Sequence, residues 1–250
     1  WAVFALVTGS QIGSGVLMLP STLAPYGTLG LWGWVVSGLG AIALALVFAQ
    51  LCARIPKTGG PHAYVAEAFG KKAGFFTGWT YWVISWISTT AVIVSSIGYL
   101  TPLLGIESKF IQIALEIVLL GSITLLNLRG VKTSGNAEFF LTLIKIIPLF
   151  ILPVAALFVF DSAHFVKDVS VSGMSDASII GKVTLMTLWG FVGVESATAP
   201  AGSVLNPTKT IPRAIVAGTI CVALLYFLNS LGIMGVVPGA ELSTSPMPRL

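Results

Sequence analysis

The chain has 250 residues, of which 56% are hydrophobic and only 9% are charged, and its formal net charge is +4. A soluble globular domain carries charges at about a quarter of its positions, so this composition, with a mean hydropathy of +0.96, excludes an ordinary soluble protein. Long apolar runs instead predict a helical protein that crosses a membrane several times. The two cysteines, Cys52 and Cys221, lie far apart in or beside apolar segments, which argues against a disulfide or a metal site.

Seven apolar segments are predicted to span the membrane as α-helices. They are Trp1–Pro25, Leu31–Ala53, Gly74–Leu100, Phe110–Leu128, Phe139–Phe160, Ile180–Val204 and Ile211–Val237. A short amphipathic stretch, His62–Phe69, is expected to lie along the cytoplasmic face. The chain opens at Trp1 inside an apolar segment, without a starting Met or a cleavable signal, so we expect the start of the protein to precede it.

The basic residues of the predicted loops are distributed unevenly between the two sides of the membrane. Eight lie in the loops that follow the second, fourth and sixth segments, and four lie on the other side. Because Lys and Arg are enriched in cytoplasmic loops, the eight are predicted to be cytoplasmic. The chain is thus expected to be a multi-pass protein of the cytoplasmic (inner) membrane with its N-terminus inside the cell.

The first segment contains the motif Gly9-Ser10-Gln11-Ile12-Gly13-Ser14-Gly15, which we call the first break. Each glycine disfavours a helix interior by about 1 kcal/mol relative to alanine, and backbone freed from a helix inside a bilayer needs partners in protein, ligand or water. A half-helix that restarts after this motif would direct its free N–H groups into a cavity and attract an anion such as a substrate carboxylate. The alternative is that these small residues pack against a neighbouring helix.

The sixth segment carries a second glycine-rich interruption, Trp189–Glu195, which we call the second break. The two interrupted segments are five spans apart and therefore cross the membrane in opposite directions. Corresponding interruptions in two oppositely inserted halves are typical of a transporter binding site, so together they favour the cavity over the packing interpretation. A second half of this kind needs five spans, and only two are present before Leu250, so we expect three or more further spans.

These motifs resemble the amino acid–polyamine–organocation (APC) superfamily of transporters. The matching residues are Gly13-Ser14-Gly15, Trp189–Ser196, the loop Pro56–Tyr64 and the turn Asn206-Pro207 with Ile211-Pro212 shortly after it. The resemblance runs through the whole chain and is closest to the bacterial basic amino acid/polyamine antiporter branch, which includes the arginine–agmatine antiporter. It implies an all-α polytopic membrane bundle with the leucine-transporter-type five-plus-five inverted repeat, here incomplete. We expect one transmembrane domain, 1–250, with a first repeat over roughly 1–160 and the start of a second over roughly 180–250.

At the first break, the resemblance implies a substrate-binding role for four residues. Gly13, Ser14 and Gly15 are predicted to hold the substrate carboxylate through backbone N–H groups and the Ser14 hydroxyl. The carbonyl of Ile12 would face the substrate amino group, and the alternative for Ile12 is an ordinary apolar residue of the bundle.

At the second break, Trp189 is predicted to stack on the substrate, as the matching tryptophan does in the resembling antiporters; the alternative is an anchor in the bundle or at the membrane interface. The carbonyl of Val192 would bind the amino group. Glu195 is expected near the N-terminus of a restarted half-helix. The resemblance implies a proton-coupling role for Glu195, against the alternative of a structural hydrogen bond to a neighbouring helix.

Lys145 lies in the fifth segment, a turn or two from its predicted start. An ionisable residue within a span needs a partner. In some proton-coupled and sodium-independent relatives a lysine here stands where cousins bind sodium and bridges the first and eighth spans, so the resemblance implies proton coupling by Lys145. The arginine–agmatine antiporter lacks this lysine, which weakens that particular match. The alternative is a lysine that snorkels to the cytoplasmic surface.

Tyr81, Ser85 and Thr89 recur at four-residue steps in the third segment and share one helix face. That face is predicted to line the cavity, with Ser85 and Thr89 contacting substrate and, by resemblance, Tyr81 acting as a gate. Helix–helix contacts are the alternative. Thr89 stands where the arginine–agmatine antiporter has an amide, so the identity of the substrate stays open.

Other polar residues indicate neither catalysis nor a metal. Glu116 is interpreted as a structural acid, and His62 and His164 lack ligand spacing to a cysteine, a histidine or a carboxylate. The sequence contains no nucleophile–base arrangement and no phosphate-binding loop. We therefore predict no enzyme, no cofactor and no nucleic-acid partner.

The function predicted from the sequence is secondary active transport of amino acids by alternating access, as an exchanger of amino acids or polyamines. Proton-coupled amino acid symport is the alternative. The expected partners are a small amino acid or amine, protons and the lipid bilayer, and a homodimer is allowed. A seven-span receptor and a membrane-embedded enzyme are remote alternatives, because the seventh segment has no lysine for a retinal Schiff base and the sequence has no catalytic constellation.

Overall fold

The computed structural model describes residues 1–13, 15–168, 171 and 173–244. In this part of the chain the regular structure is helical, without a β-strand, and the predicted all-α class is confirmed. The α-helices are α1 (Ala2–Gln11), α2 (Gly15–Leu23), α3 (Thr28–Arg54), α4 (Pro61–Phe69), α5 (Lys71–Leu103), α6 (Lys109–Leu128), α7 (Val131–Ala156), α8 (Asp176–Leu188), α9 (Pro207–Val236) and α10 (Gly239–Thr244).

Among the described residues, seven stretches are long and apolar enough to cross a membrane, and they correspond to the seven predicted segments. The first consists of α1, α2 and a short 3-10 turn, so the predicted interruption of the first segment is present. The fifth was predicted to begin at Phe139, and this boundary is wrong. Helix α7 begins at Val131, directly after Gly130 with φ +101°, because polar residues such as Lys132 and Asn136 lower the hydropathy without breaking a helix.

The predicted restart of a half-helix after Gly193 is also wrong. Helix α8 ends at Leu188, and the chain then forms 3-10 turns at Trp189–Phe191, Ser196–Thr198 and Ala201–Ser203 before α9 begins. Pro200 lacks the N–H that an α-helix would need there, and the hydroxyl of Thr198 donates to the carbonyl of Glu195 at 2.6 Å. Backbone groups of this stretch therefore need partners outside a regular helix.

The described residues cluster into two compact units, Trp1–Gly60 with Glu138–Ser245, and Pro61–Ala137. In the first unit α3 packs against α8 and α9, and α1 packs against α9. Glycines allow these close approaches: a Cβ at Gly33 would lie 2.7 Å from the carbonyl oxygen of Val183, and a Cβ at Gly218 would lie 2.9 Å from Val7 Cγ1. Small residues in this role are typical of helix packing in membranes.

The second unit contains α4, α5 and α6. Gly70 adopts φ +89° between α4 and α5, a left-handed conformation that glycine reaches without strain. The two helices then lie side by side, with Gly74 against Ala66 and a Cβ at Gly78 3.5 Å from His62 Cβ. The predicted short helix is thus present, and its position at the cytoplasmic face stays a prediction.

Candidate functional site

The first break separates α1 from α2 in the first unit. Ile12 adopts an extended conformation (φ −72°, ψ 101°) and ends α1, Gly13 is exposed, and α2 starts at Gly15. Ser14 lies outside the described residues, so its predicted contact with substrate stays a prediction. The free N–H groups of the first turn of α2 therefore begin next to an exposed, non-helical backbone.

The space around these glycines distinguishes a cradle from a packing contact. A Cβ added at Gly13 would meet nothing within 4 Å, and one at Gly15 would meet only Leu19 Cδ1, at 4.0 Å. Glycines that serve close helix packing would have a neighbour at contact distance, as Gly33 and Gly218 do. Within this unit the two glycines border open space, as a binding cradle requires.

The C-terminal carbonyls of α1 are capped by side chains from two other helices. Tyr226, which is 1% exposed on α9, donates its hydroxyl to the carbonyl of Gln11 at 2.6 Å. Lys145 on α7 donates its Nζ to the carbonyl of Gly9 at 3.0 Å. Among the described residues, no donor reaches the carbonyl of Ile12. Within the part of the chain that the structure describes, the end of α1 thus presents a carbonyl without a donor at the negative end of a helix dipole, where a cation is favoured.

The second break lies directly against the first. The Ser10 Oγ is 2.6 Å from the Ser196 Oγ and donates to the carbonyl of Gly193 at 3.3 Å. Gly193 has φ +104°, and a Cβ there would lie 3.1 Å from the Ser10 carbonyl oxygen. The two interruptions, which are remote in sequence, therefore form one connected site.

The residues predicted at the second break differ in exposure. Trp189 is 78% exposed and Val192 is 58% exposed, so neither is buried in the core of this unit. Val192 is extended (φ −63°, ψ 135°). Glu195 is half-buried, and its backbone carbonyl accepts from the N–H of Thr198 at 2.9 Å. Because no α-helix restarts here, the predicted placement of Glu195 at a helix N-terminus does not apply.

An aromatic cluster of Trp34, Phe191 and Tyr226 packs next to both breaks. The ring centroids of Trp34 and Tyr226 are 4.9 Å apart, and those of Phe191 and Tyr226 are 5.7 Å apart. The indole N–H of Trp34 donates to Ser230 Oγ at 2.7 Å. A Cβ at Gly190 would lie 2.9 Å from Tyr226 Cε2, so the second break fits this cluster only with glycine at that position.

One face of α7 approaches the last turns of α1. Lys145 lies about four turns into α7, so its predicted position a turn or two from the start of the span is wrong. Glu138 and Thr142, at helical spacing before it, occupy the space where a Gly9 Cβ would be, and Thr142 Oγ1 donates to the carbonyl of Ala5 at 3.2 Å. An acid, a hydroxyl and a base on α7 thus all contact α1.

The predicted face of the third segment lies in the second unit, on α5. The Ser85 hydroxyl donates to the carbonyl of Tyr81 at 2.7 Å, and the Thr89 hydroxyl donates to the carbonyl of Ser85 at 2.8 Å. Both hydroxyls are exposed and bond their own helix. Their contact with substrate and the gating role of Tyr81 stay predictions.

Sequence reasoning missed several residues of this site. Those that contact the breaks are Ser10, Trp34, Glu138, Ser196 and Tyr226. A signal existed for Glu138, because Glu138, Thr142 and Lys145 form the i, i+4, i+7 pattern of one helix face inside an apolar span. Tyr226 had no such signal, because a single tyrosine in an apolar helix does not indicate its partner.

Metal-binding clusters of three or more His, Cys, Asp or Glu side chains do not occur in the described part of the chain. His164 instead contacts the carbonyl oxygen of Gly235 through Nδ1 at 2.9 Å. Both cysteines are free thiols, with Cys52 buried.

Comparison with known proteins identifies the family of the chain. The family model described as amino acid permease matches residues 1–248, and the chain therefore belongs to the amino acid permease family. The superfamily and the basic amino acid/polyamine antiporter branch predicted from the sequence are confirmed.

Several relatives of the chain are named for amines. The chain is 36% identical over 240 residues to the putrescine transporter PotE of Haemophilus influenzae, covering 96% of the chain and 55% of that protein. It is 35% identical over 240 residues to the putrescine transporter PotE of Escherichia coli K12, with the same coverage. It is 30% identical over 249 residues to the cadaverine/lysine antiporter of Escherichia coli K12, covering 99% of the chain and 56% of that protein. The chain spans about half the length of the curated relatives it matches.

Proposed function

We propose that the whole protein containing this chain is a secondary carrier that exchanges cationic amino acids and amines across the cytoplasmic membrane by alternating access. The observation that carries the proposal is the contact between the two breaks, with Ser10 bonded to Ser196 next to the open space at Gly13. Non-helical backbone at membrane depth is tolerated where it lines a cavity, and paired breaks of this kind form the binding site of many carriers.

The site offers complementary groups to an amino acid. The N–H groups of Gly13, Ser14 and Gly15 would hold a carboxylate, and the unpaired carbonyl of Ile12 and that of Val192 would hold an ammonium group. Trp189, which is largely exposed in the first unit, would stack on an aliphatic or cationic side chain.

The names of the relatives indicate amines and a cationic amino acid as the class of substrate. Two are named for putrescine and one for cadaverine and lysine. A diamine has no carboxylate, so it would use the carbonyls of Ile12 and Val192 and leave the N–H groups of the first break unoccupied. An amino acid would use both sets. This difference supports exchange of a cationic amino acid for an amine at the two breaks. Substrate contacts of Ser85 and Thr89, predicted from the sequence, also belong to the proposal.

Proton coupling is part of the proposal, with Glu195 and Lys145 as the candidate residues. Proton-coupled symport is the second candidate function, and the observation that favours it is the bond from Lys145 Nζ to the carbonyl of Gly9. Movement of that ammonium would free a carbonyl at the end of α1. The proposal also places the protein in the inner membrane with its N-terminus in the cytoplasm. It includes transport without an enzymatic reaction and allows a homodimer.

The test is transport by the whole protein in liposomes. We expect labelled arginine, lysine or putrescine to enter only when the liposomes contain an unlabelled amine or cationic amino acid. Entry without internal substrate, driven by a proton gradient and best for alanine, would replace exchange by symport. Absence of transport of all these compounds under both conditions would contradict the proposed function.

A matched pair of variants tests the location of the site. Both Gly13→Leu and Gly181→Leu place a side chain in open space, since a Cβ at either position meets nothing within 4 Å. Gly13→Leu is expected to abolish exchange because it fills the cradle, whereas Gly181→Leu, on α8 away from the breaks, is expected to retain it. Equal activity of the two variants would move the site elsewhere.

A further inference from the structure

The loop between α3 and α4 contacts the non-helical stretch that follows the second break. The N–H of Gly59 donates to the carbonyl of Ala199 at 2.9 Å, and the hydroxyl of Thr58 accepts from the N–H of Gly202 at 3.0 Å. Each bond pairs one backbone group of this stretch, the carbonyl of Ala199 or the N–H of Gly202, that a continuous helix would have paired internally. The loop thus replaces part of the hydrogen bonding that the sixth span lacks.

The fit of this loop requires glycine. Gly60 is buried and has φ +56°, and a Cβ there would lie 2.5 Å from Thr198 Oγ1 and 3.2 Å from the N–H nitrogen of Ala199. A Cβ at Gly202 would overlap Thr58 Oγ1. Two segments that approach this closely move together or separate completely, because protein interiors deform little without opening.

The contact reaches Glu195 through one buried residue. Thr198 is fully buried, and both its N–H (2.9 Å) and its hydroxyl (2.6 Å) donate to the carbonyl of Glu195. Gly60 closes over this Thr198 side chain. The backbone conformation of Glu195 is thus fixed by Thr198, and the position of Thr198 is fixed by the loop.

We infer that Thr58, Gly59 and Gly60, which we call the loop clamp, are positioning residues that hold the end of the second break in its substrate-binding geometry. This inference rests on the proposed function, because the clamp acts through Glu195 and the break and not through contact with substrate. The clamp also joins the end of α3 to the sixth span, so that both follow one movement during transport.

The first experiment measures backbone hydrogen exchange in the whole protein, which does not depend on transport. Thr58→Val keeps the shape of the side chain and removes the acceptor for Gly202. We expect at least tenfold faster exchange at residues 196–204, because loss of a hydrogen bond lowers the protection of the segment it holds. Thr210→Val is the matched control, since the Thr210 hydroxyl donates to the nearby carbonyl of Leu205 at 2.9 Å, and it is expected to leave exchange at residues 196–204 unchanged.

The second pair separates the contact from backbone strain. Gly60→Ala and Gly70→Ala both place alanine at a positive φ, but a Cβ at Gly70 meets nothing within 4 Å. Only Gly60→Ala is expected to speed exchange at residues 196–204. If Gly60→Ala does not yield folded protein, the Thr58→Val result decides.

The third measurement is transport by the same variants, normalised to folded protein in the liposomes. A positioning role predicts a KM about five- to tenfold higher for Thr58→Val with kcat within twofold of wild type, the size of effect that one hydrogen bond gives. A purely structural role would lower the amount of folded protein and leave KM unchanged.

The outcomes distinguish the inference from the proposed function. Unchanged hydrogen exchange at residues 196–204 in Thr58→Val, or an unchanged KM despite faster exchange, would overturn the clamp while the carrier function stands. A wild-type protein that transports none of the tested compounds would overturn the proposed function, and the hydrogen-exchange result would still decide whether the clamp holds this segment.

Discussion

Glycines at the two breaks fall into two groups with different physical roles. Gly13 and Gly15 have open space where a side chain would be, whereas Gly190 and Gly193 each have a neighbour near 3 Å. The first pair leaves room for a ligand near bare backbone, and the second pair allows the second break to approach Tyr226 and Ser10. Substitution at the first pair should affect binding, and substitution at the second pair should affect assembly of the site.

The hydroxyl of Tyr226 caps the end of α1, and removal of this hydroxyl is expected to weaken substrate binding. Tyr226→Phe keeps the ring between Trp34 and Phe191 and leaves the carbonyl of Gln11 without a partner, which costs about 1–3 kcal/mol for a buried group. We expect the affinity for substrate to fall roughly tenfold, as measured by titration of the purified whole protein.

The control for this prediction is Ser230→Ala on the same helix. It removes a buried hydroxyl that accepts from Trp34 without touching the first break. It is expected to lower thermal stability and to leave affinity within twofold. An equal loss of affinity in both variants would mean that Tyr226 acts through general stability.

Glu195 is the only ionisable side chain within the second break. Glu195→Gln keeps the shape of the side chain and removes its ability to bind and release a proton. If Glu195 carries the coupled proton, the pH dependence of exchange should flatten, while binding measured at one pH is retained. A pH dependence identical to wild type would assign the proton to another group, with Lys145 as the next candidate.

The contact between α7 and α1 brings two ionisable side chains, Glu138 and Lys145, to the first break. Glu138, Thr142 and Lys145 all reach α1 from one face of α7, and all three lie against Gly9. A lysine at a helix C-terminus is favourable and a carboxylate is not. The bond from Lys145 Nζ to the carbonyl of Gly9 is therefore the favourable contact at this end of α1.

Because α1 and α7 lie in close contact at Gly9, the substitution Gly9→Ala is expected to destabilise the protein. The added Cβ would overlap Glu138 Oε1 and Thr142 Oγ1, and overpacking of this kind costs about 1–3 kcal/mol. A lower unfolding temperature of the purified protein is the expected result.

Gly40→Ala in α3 is the matched control for this substitution. A Cβ at Gly40 meets nothing within 4 Å, and alanine favours a helix interior by about 1 kcal/mol over glycine. An unfolding temperature equal to or above wild type is expected. A Gly9→Ala variant as stable as Gly40→Ala would mean that α1 and α7 can separate at no cost.

For the whole molecule, the distribution of Lys and Arg predicts the orientation in the membrane. In a variant of the whole protein with every native cysteine replaced, Lys72→Cys should be protected from an impermeant thiol reagent in intact cells, and Lys109→Cys should react. Both lysines are exposed in the structure, so access to the side chain does not limit the reaction, and the basic side of the protein is expected to be cytoplasmic. Labelling with the opposite pattern would reverse the proposed orientation.

Composition and periodicity determined the class of protein, the seven spanning stretches and the existence of a break in the first and sixth segments. These features follow from local chemistry: apolar length decides whether a helix can cross a bilayer, and clustered glycines decide where it is interrupted. The recognised motifs determined the family, because Gly13-Ser14-Gly15 and Trp189–Ser196 are contiguous in the sequence.

Only the tertiary structure decided what surrounds the breaks. Three contacts join positions that are far apart in the chain, and no local pattern specifies such partners. They are the bond from Tyr226 to Gln11, the contact of Glu138 with Gly9 and the contact of the loop clamp with residues 198–202. The failure of the sixth segment to restart as an α-helix has a local cause in Pro200 and a tertiary one. Backbone groups of Ala199 and Gly202 are paired by Gly59 and Thr58 from another part of the fold, and propensity and hydropathy do not contain these contacts.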